Sequence, residues 1–478
     1  MSVIKTIARN TLVLLAGQVV TVVLTYFYTI YTARYLGAEG FGMLSFAIAF
    51  TGISCLLADL GLNVLTTREV SRNNLMADKY IGNVLAIKMI LTIITLVFTA
   101  FVINLLGYPP KTIAVVYLIT LSTILTSFTN MFNSIFQAFQ KMEYISAGRI
   151  LYSVLLFAGI LTAINENVDI VSISLVYLFV SLVALGYSIY VCISKFVVPK
   201  IELDFQFWKD LLKESIPFWM TSVFVIIYFR MDMIMLSMMK GDEVVGWYAA
   251  SYRLIEGLSV IPAIFMSVMF PVFSKYYSDS KSSLKFSFEK SLKFLIIIAI
   301  PIGIGTTILA DEIITLFYGS EYAPSVPALK ILIWASVLSF INWAPATLLN
   351  STNKQRTLMI CTSIGAILNL VLNYLLIPSL SYKGAGIATV ITEFVVGLLI
   401  LFNIQKTQNL GSPFIDSIFK SLISGIIMGL FIVTFKSYTL MLLIPFSSIL
   451  YFISLFIIQG VGKEDLNLLN QTRDGKIE

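Results

Sequence analysis

Ala33-Arg34-Tyr35-Leu36-Gly37-Ala38-Glu39-Gly40-Phe41-Gly42 joins two long apolar runs, and its glycine-bounded end returns 204 positions later as Gly241-Asp242-Glu243-Val244-Val245-Gly246. Each copy is a G-x-E-x-x-G turn. Small residues follow both, Ser45 and Ala47 in the first and Ala249, Ala250 and Ser251 in the second. One such match is within reach of chance. The same turn at the same place in a matching order of helices marks an internal duplication, and it predicts a chain of two repeated helical halves.

Reading outward from the turns, apolar runs continue from Thr11 to about Gly460. Hydrophobic residues make up 58% of the 478 positions and charged residues 12%, half the roughly 25% of a soluble chain. A helical crossing takes about 20 apolar residues, so the composition supplies about fourteen. They are read at 11–34, 41–62, 81–106, 112–136, 146–164, 170–194, 214–238, 246–272, 291–310, 328–350, 357–377, 384–404, 418–435 and 439–459. The first is too long for a signal-peptide core and lacks a small-residue cleavage site after it. The expected fold is an all-α membrane protein with two pseudo-symmetric six-helix bundles and two further C-terminal helices. Residues 1–195 form the first bundle, 196–213 a cytoplasmic linker, 214–405 the second bundle, and 406–478 the extra helices and a cytoplasmic tail.

Charge sets the expected orientation. With the N-terminus inside, 23 Lys and Arg fall in cytoplasmic loops, and only Lys111, Lys240, Lys330, Lys383 and Lys436 fall opposite. Such a bias over short loops is the positive-inside pattern, so both termini are expected in the cytoplasm and the protein in the cytoplasmic membrane. The net charge of +6 then reports topology and gives no reason to expect nucleic acid.

Histidine is absent from the chain, which removes His-based general bases, Ser-His-Asp triads and His metal ligands. There is no GxxxxGK[ST] loop for ATP. The longest outer loop, Asp311 to Pro327, is too short for a catalytic domain. Cys55, Cys192 and Cys361 stand singly in apolar spans, a pattern of neither disulfides nor a metal site. A transporter without cofactor or metal is expected, and an enzyme is not.

Several segments resemble one family in order and spacing over about residues 10–405. Ala33 to Gly42 is one. Others are Ala58-Asp59-Leu60-Gly61-Leu62 with Arg68-Glu69, and Val245-Gly246-Trp247-Tyr248-Ala249-Ala250 with Arg253-Leu254 and Pro271. Asn369, Asn373-Tyr374, Pro378 and Gly384-Ala385-Gly386-Ile387-Ala388-Thr389 complete the pattern. Together they resemble the polysaccharide transporters, the O-antigen-type flippases of the multidrug/oligosaccharidyl-lipid/polysaccharide exporter superfamily. The resemblance implies two six-helix bundles forming a V and a polyprenyl-(di)phosphate-linked oligosaccharide as substrate, moved by alternating access. It further implies membrane lipid around the chain, H+ or Na+ as coupling ion, and glycan polymerases or glycosyltransferases as partners. Two other readings stand beside it: a multidrug/cation antiporter of the same superfamily, and a membrane-embedded glycosyltransferase or polymerase.

Ionisable residues at membrane depth cost at least about 2.5 kcal/mol, so each asks for a partner or a cavity. Arg253 lies roughly 10 Å and Arg230 roughly 12 Å below the outer face at 1.5 Å per residue. The functional reading places both in a headgroup cleft as guanidinium ligands of the diphosphate, with Lys88 and Arg34 as further basic contacts. The structural reading makes them ion pairs: Arg253 with Glu256 at i,i+3, and Arg230 with Asp232 or another acid. Lys88 either lines a cavity or snorkels to the cytoplasmic side. Glu393, near the midplane, is read as a coupling site or as a residue satisfied by a neighbouring helix. Asp59 is read as an ion-pairing or coupling residue or as a turn or cap residue, and Arg34 and Glu39 as interfacial.

Two polar stripes follow helical spacing. Span one carries Gln18, Thr21, Thr25, Thr29 and Thr32; span four carries Thr120, Thr123, Ser127, Asn130, Ser134 and Gln137. Such faces are costly against lipid, so they line water or bond across helices; Gln18, Thr21, Thr25, Thr123, Ser127 and Asn130 are the expected cavity lining. Tyr26, Tyr28, Tyr31, Trp219, Trp334 and Trp343 are candidate sugar platforms. The last two spans, with only Lys420 and Lys436 charged between Ile418 and Ile458, are expected to face lipid; by analogy with the family they would shelter the polyprenyl tail.

Overall fold

A computed structural model of the chain describes residues 3–408 and 414–460. The expected cytoplasmic tail with Lys463, Arg473 and Lys476 lies outside the described residues, as do the side chains of Lys5 and Arg9. Among the described residues every regular element is helical.

Contacts group the chain into two compact units, Met1–Ala249 with Asn373–Tyr382, and Ala250–Leu372 with Lys383–Glu478. The first holds α1 (Val3–Ser54), a 3-10 turn Cys55–Ala58, α2 (Leu62–Arg72) and α3 (Ala77–Leu105). After these come α4 (Pro110–Ala138), α5 (Met142–Asn165), α6 (Ile170–Lys195), α7 (Phe205–Lys240) and the start of α8 (Asp242–Leu258). The second unit takes the rest of α8, then α9 (Val260–Asp279), α10 (Lys281–Ile308), α11 (Ala310–Tyr318) and α12 (Val326–Ser351). Most of α13 (Gln355–Gln408), with α14 (Phe414–Thr434) and α15 (Leu440–Ile457), completes it.

Among the described residues twelve helical stretches are long and apolar enough to cross a membrane. Two of them, Gly17–Ala58 and Gln355–Lys406, run through a break in the backbone, at Gly37 (φ 66, ψ −178) and Ser381 (φ 55, ψ −140). Divided there, each supplies two crossings, and the fourteen expected spans are recovered. Span two ends earlier than expected: the 3-10 turn and the short α2 occupy residues read as its end and the loop beyond. α7 begins at Phe205, inside the segment read as linker, because the Asp204 carboxylate caps it by accepting from the Phe207 amide at 3.0 Å.

The core of the first unit lies where α2, α3, α4, α6 and α7 converge, with Leu62, Ile81, Met131, Phe136, Cys192 and Leu211 buried. Hydroxyls join the helices as well: Ser122 Oγ lies 2.7 Å from Ser181 Oγ between α4 and α6. In the second unit α14 packs closely on α10. A Cβ on Gly425 would lie 2.5 Å from the Ile304 side chain, and one on Gly429 3.1 Å from Ile308, the close approach that small residues give membrane helices. Tyr451 of α15 donates to the Ile297 carbonyl at 2.9 Å. Leu430, Val433, Phe446 and Phe456 on the outer faces of α14 and α15 stay exposed.

Candidate functional site

Both copies of the duplicated turn break the helix at their first glycine in the same way. Gly37 has φ 66 and ψ −178, and Gly241 has φ 88 and ψ 170, a region open essentially to glycine alone. The last glycines then meet the opposite copy. A Cβ on Gly42 would lie 1.7 Å from the Asp242 carbonyl oxygen, and one on Gly246 would lie 1.9 Å from the Ala38 carbonyl oxygen. Ala38 and Asp242 are themselves 204 positions apart, so the contact is reciprocal and has the symmetry of the sequence repeat. Side chains brace it: Ser237 donates to Asp242 Oδ1 at 2.6 Å, and Tyr108 Oη lies 2.9 Å from Ser237 Oγ. Phe46 stacks on Tyr108 at 4.6 Å. Burial raises the Tyr108 hydroxyl to about 12.

The same helix, α7, is tied again at its other end. Leu60 (φ 46) and Gly61 (φ 78) turn the chain from the 3-10 segment into α2. A Cβ on Gly61 would lie 2.7 Å from the Ser215 carbonyl oxygen. Trp219 Nε1 donates to the Leu56 carbonyl at 3.0 Å. Arg68 bridges Glu69 and Glu214, with its guanidinium 5.5 Å from the Phe218 ring centre. Ser215 and Lys240 are ~40 Å apart along a helix rising 1.5 Å per residue, more than the ~30 Å of a bilayer core. α7 is therefore closed onto α1 and α2 at opposite ends.

Of the predicted site residues, Lys88, Asp59 and Ser127 come together. Lys88, 1% exposed, sits 3.0 Å from Asp59 Oδ1 and donates to the Ser127 carbonyl and hydroxyl at 2.9 and 2.8 Å. Two hydrogen bonds to Ser127 and the ion pair with Asp59 hold the ammonium within the protein. Lys88 therefore neither snorkels nor lines an open cleft, and Asp59 takes the ion-pairing one of its two readings, as the counter-ion of Lys88. Thr123 lies 3.4 Å from Thr51 and bonds its own helix at the Ile119 carbonyl. These two members of the span-four stripe thus join helices, whereas Asn130 and Gln137 stay exposed. Gln18, Thr21 and Thr25 are half-buried, Thr29 and Thr32 buried, and Arg34 exposed. The expected sugar platform Trp219 has its indole N–H committed to the Leu56 carbonyl of the 3-10 turn; Trp334 packs beside Gly303.

Arg230, half-buried, belongs to the first unit and Arg253 to the second. Arg253 Nη1 donates to Glu256 Oε2 at 2.8 Å, the i,i+3 pair read from spacing. Asp232 is buried and accepts from the Met233 amide at 2.8 Å and from the Tyr248 hydroxyl. Glu393, 7% exposed, accepts from Asn342 Nδ2 at 3.0 Å through both Oε2 and its main-chain carbonyl. A Cβ on Gly397 would overlap Asn342 Oδ1 at 2.3 Å, so that glycine makes room for the amide. Asn342, Ser237 and Tyr108 were not read from the sequence, and Tyr248 was read only as part of a motif, with no partner. Asn342 and Ser237 are single polar residues in apolar helices and Tyr108 stands in the turn between α3 and α4, and only the fold supplies their partners. Among the described residues no cluster of His, Cys, Asp and Glu suited to a metal ion occurs.

Comparison with known proteins places this geometry. The sequence model described as "Polysaccharide biosynthesis protein" matches residues 7–277, and that described as MatE matches residues 217–375. The probable low-salt glycan biosynthesis flippase Agl15 of Haloferax volcanii is 23% identical over 388 residues, covering 81% of each chain. The capsular polysaccharide biosynthesis protein CapF of Staphylococcus aureus is 23% identical over 367 residues, covering 75% of this chain and 89% of its own. Among solved structures, the lipid II flippase MurJ in an inward closed conformation superposes with a TM-score of 0.78 at 16% identity, over 94% of this chain and 98% of that one. At that identity the likeness speaks for the fold.

Proposed function

The chain belongs to the polysaccharide biosynthesis protein family, and from that premise we propose that it is a flippase carrying a polyprenyl-(di)phosphate-linked oligosaccharide across the cytoplasmic membrane by alternating access. The observation that carries the mechanism is the double closure of α7. A duplicated main-chain contact seals one end, and the Gly61–Ser215 approach with the Arg68–Glu214 bridge seals the other. A headgroup crosses only if these two contacts part in turn, never together. The excess of basic loops assigns the duplicated turns to the outer face.

Arg230 and Arg253 are the guanidiniums we assign to the diphosphate, because Arg offers planar paired donors to phosphate oxygens. Arg253 is already paired with Glu256, so binding would exchange a carboxylate for a phosphate. Lys88 is left out of the headgroup contacts, since it is buried, paired with Asp59 and bonded to Ser127. Glu393 with Asn342 is the proposed seat of coupling to H+ or Na+, and glycan polymerases or glycosyltransferases are the proposed partners. The protein acts as a transporter, with no bond made or broken.

The test is headgroup translocation of a fluorescent polyprenyl-diphosphate sugar in proteoliposomes, comparing the unaltered chain with Arg230→Ala and Arg253→Ala. Transport by the first and loss of it in folded alanine forms supports the assignment. The match to the MatE model motivates the rival reading: exchange of small organic cations for protons or sodium, without movement of the lipid-linked sugar, replaces the flippase with an antiporter.

A further inference from the structure

Residues 196–204, between α6 and α7, form with the end of α6 and the first turns of α7 a strap whose inner face is bound tightly to α3. A Cβ on Gly82 would lie 2.1 Å from the Lys200 carbonyl oxygen, so the strap runs directly over the α3 backbone. Asn83, fully buried, fixes its course. Its Nδ2 donates to the Lys79 carbonyl at 2.9 Å and to Glu202 at 3.0 Å; its Oδ1 accepts from the Asp204 amide at 3.1 Å and the Trp208 indole at 2.8 Å. Two donors and two lone pairs are the whole capacity of an amide side chain, and all four are filled. The outer face of the strap is thus held in one conformation.

Charge is sorted between the faces. Three of the four acids in and next to the strap turn inward: Glu202 to Asn83, Asp204 to Lys79 at 3.1 Å, and Glu214 to Arg68. Lys195, Lys200, Lys209 and Lys213 are exposed, and among the described residues none has an ion-pair partner; Asp210 alone opposes them. Beside the lysines stand Val198, Ile201, Leu203 and Phe205, each more than half exposed. Four apolar side chains among four free ammoniums suit neither bulk water nor a bilayer core. They suit the boundary between acyl chains and acidic headgroups.

We propose that this strap is a preformed binding surface for anionic lipid headgroups of the cytoplasmic leaflet. The apolar residues enter the headgroup–acyl boundary while the lysines meet phosphate. Each lysine near an acidic surface contributes about 1 kcal/mol, so loss of one shifts the local docking equilibrium about fivefold. Salt weakens the contact, because the Debye length falls from about 10 Å at 0.1 M to 3 Å at 1 M.

The three native cysteines are buried, so Ile201→Cys in the full chain takes an environment-sensitive fluorophore selectively. The labelled protein is placed in vesicles of phosphatidylcholine alone or with phosphatidylglycerol, with nitroxide-bearing lipid as quencher. The expected result is blue-shifted emission and quenching in phosphatidylglycerol vesicles. Both should weaken in phosphatidylcholine, in 1 M salt, and in the variant with all four lysines changed to Gln. Because those four side chains are exposed, their exchange leaves the packing untouched. Water-like emission in phosphatidylglycerol vesicles overturns the proposal, as does emission equal in both lipids. Shielding seen only in native membranes also overturns it, and assigns the face to a protein. The readout requires no transport, so its outcome is separate from that of the flippase assay.

Discussion

Replacing Gly42 with Ala tests the duplicated contact directly. The new Cβ would lie 1.7 Å from the Asp242 carbonyl oxygen, whereas carbon and carbonyl oxygen normally approach to about 3.3 Å. The two turns must therefore part by about 1.5 Å, and the obstacle is main chain, which cannot rotate away as a side chain can. Overpacking of this kind costs about 1–3 kcal/mol, which biases a two-state equilibrium about 5- to 150-fold toward the form with the turns separated. Gly246→Ala, at 1.9 Å from the Ala38 oxygen, acts on the same contact. The double variant should accordingly fall well short of the sum of the two. Gly52→Ala is the control: nothing lies within 4 Å of its Cβ position, and in a helix the change is neutral or favourable. The assay is the labelling rate of Val245→Cys, fully buried beside the contact, by an impermeant thiol reagent. Gly42→Ala should label about 5- to 150-fold faster. Labelling of a folded Gly42→Ala protein at the Gly52→Ala rate would refute the idea that these turns form a seal.

Lys88→Met removes one partner of a buried pair and should cost about 3 kcal/mol; the thermal midpoint in detergent should fall, and adding Asp59→Asn should restore most of it. Ser381→Gly should stabilise by about 1 kcal/mol, since φ 55 and ψ −140 strain any residue with a Cβ; differential scanning of the two proteins decides this, and an unchanged or lower midpoint counts against the strain. The Asp204 carboxyl is held below the usual carboxylate range, first by the Phe207 amide and then by Lys79. Its depressed value means that its contribution is complete above the unfolded carboxylate range and is lost as pH falls through the folded value. Asp204→Asn should therefore flatten the acid limb of a midpoint-against-pH series taken from about pH 7 to pH 3.

What the sequence revealed depended on periodicity. Helices of about 20 apolar residues, the turns at Gly37 and Gly241, and the Arg253–Glu256 pair all follow from local spacing, and the structure has them. Of the two breaks that divide long helices, glycine marks the one at Gly37; the other was legible only as the gap between the runs 357–377 and 384–404, and nothing in the sequence singles out Ser381 as its hinge. Lys88 was misread because its depth argued only for a partner or an escape. Ser127 and Asp59 are 39 and 29 positions away, and no spacing rule joins them. The inward turn of Glu202, Asp204 and Glu214 was hidden for the same reason: charge counts give the sign of a loop and not the face each charge takes. Asn342 beside Glu393 needed two helices in register before the pair could be seen.

The duplicated turns touch through carbonyl oxygens and the bare faces of glycines, with Ser237, Asp242 and Tyr108 bracing them from the side, so the contact itself is made by main chain. A joint of this kind carries no information about cargo. The exposed Glu39 and Glu243 can change without touching it, provided the four glycines at 37, 42, 241 and 246 remain. Recognition of one glycan over another must then be written elsewhere in the chain, in positions that can vary while the mechanical joint is inherited unchanged.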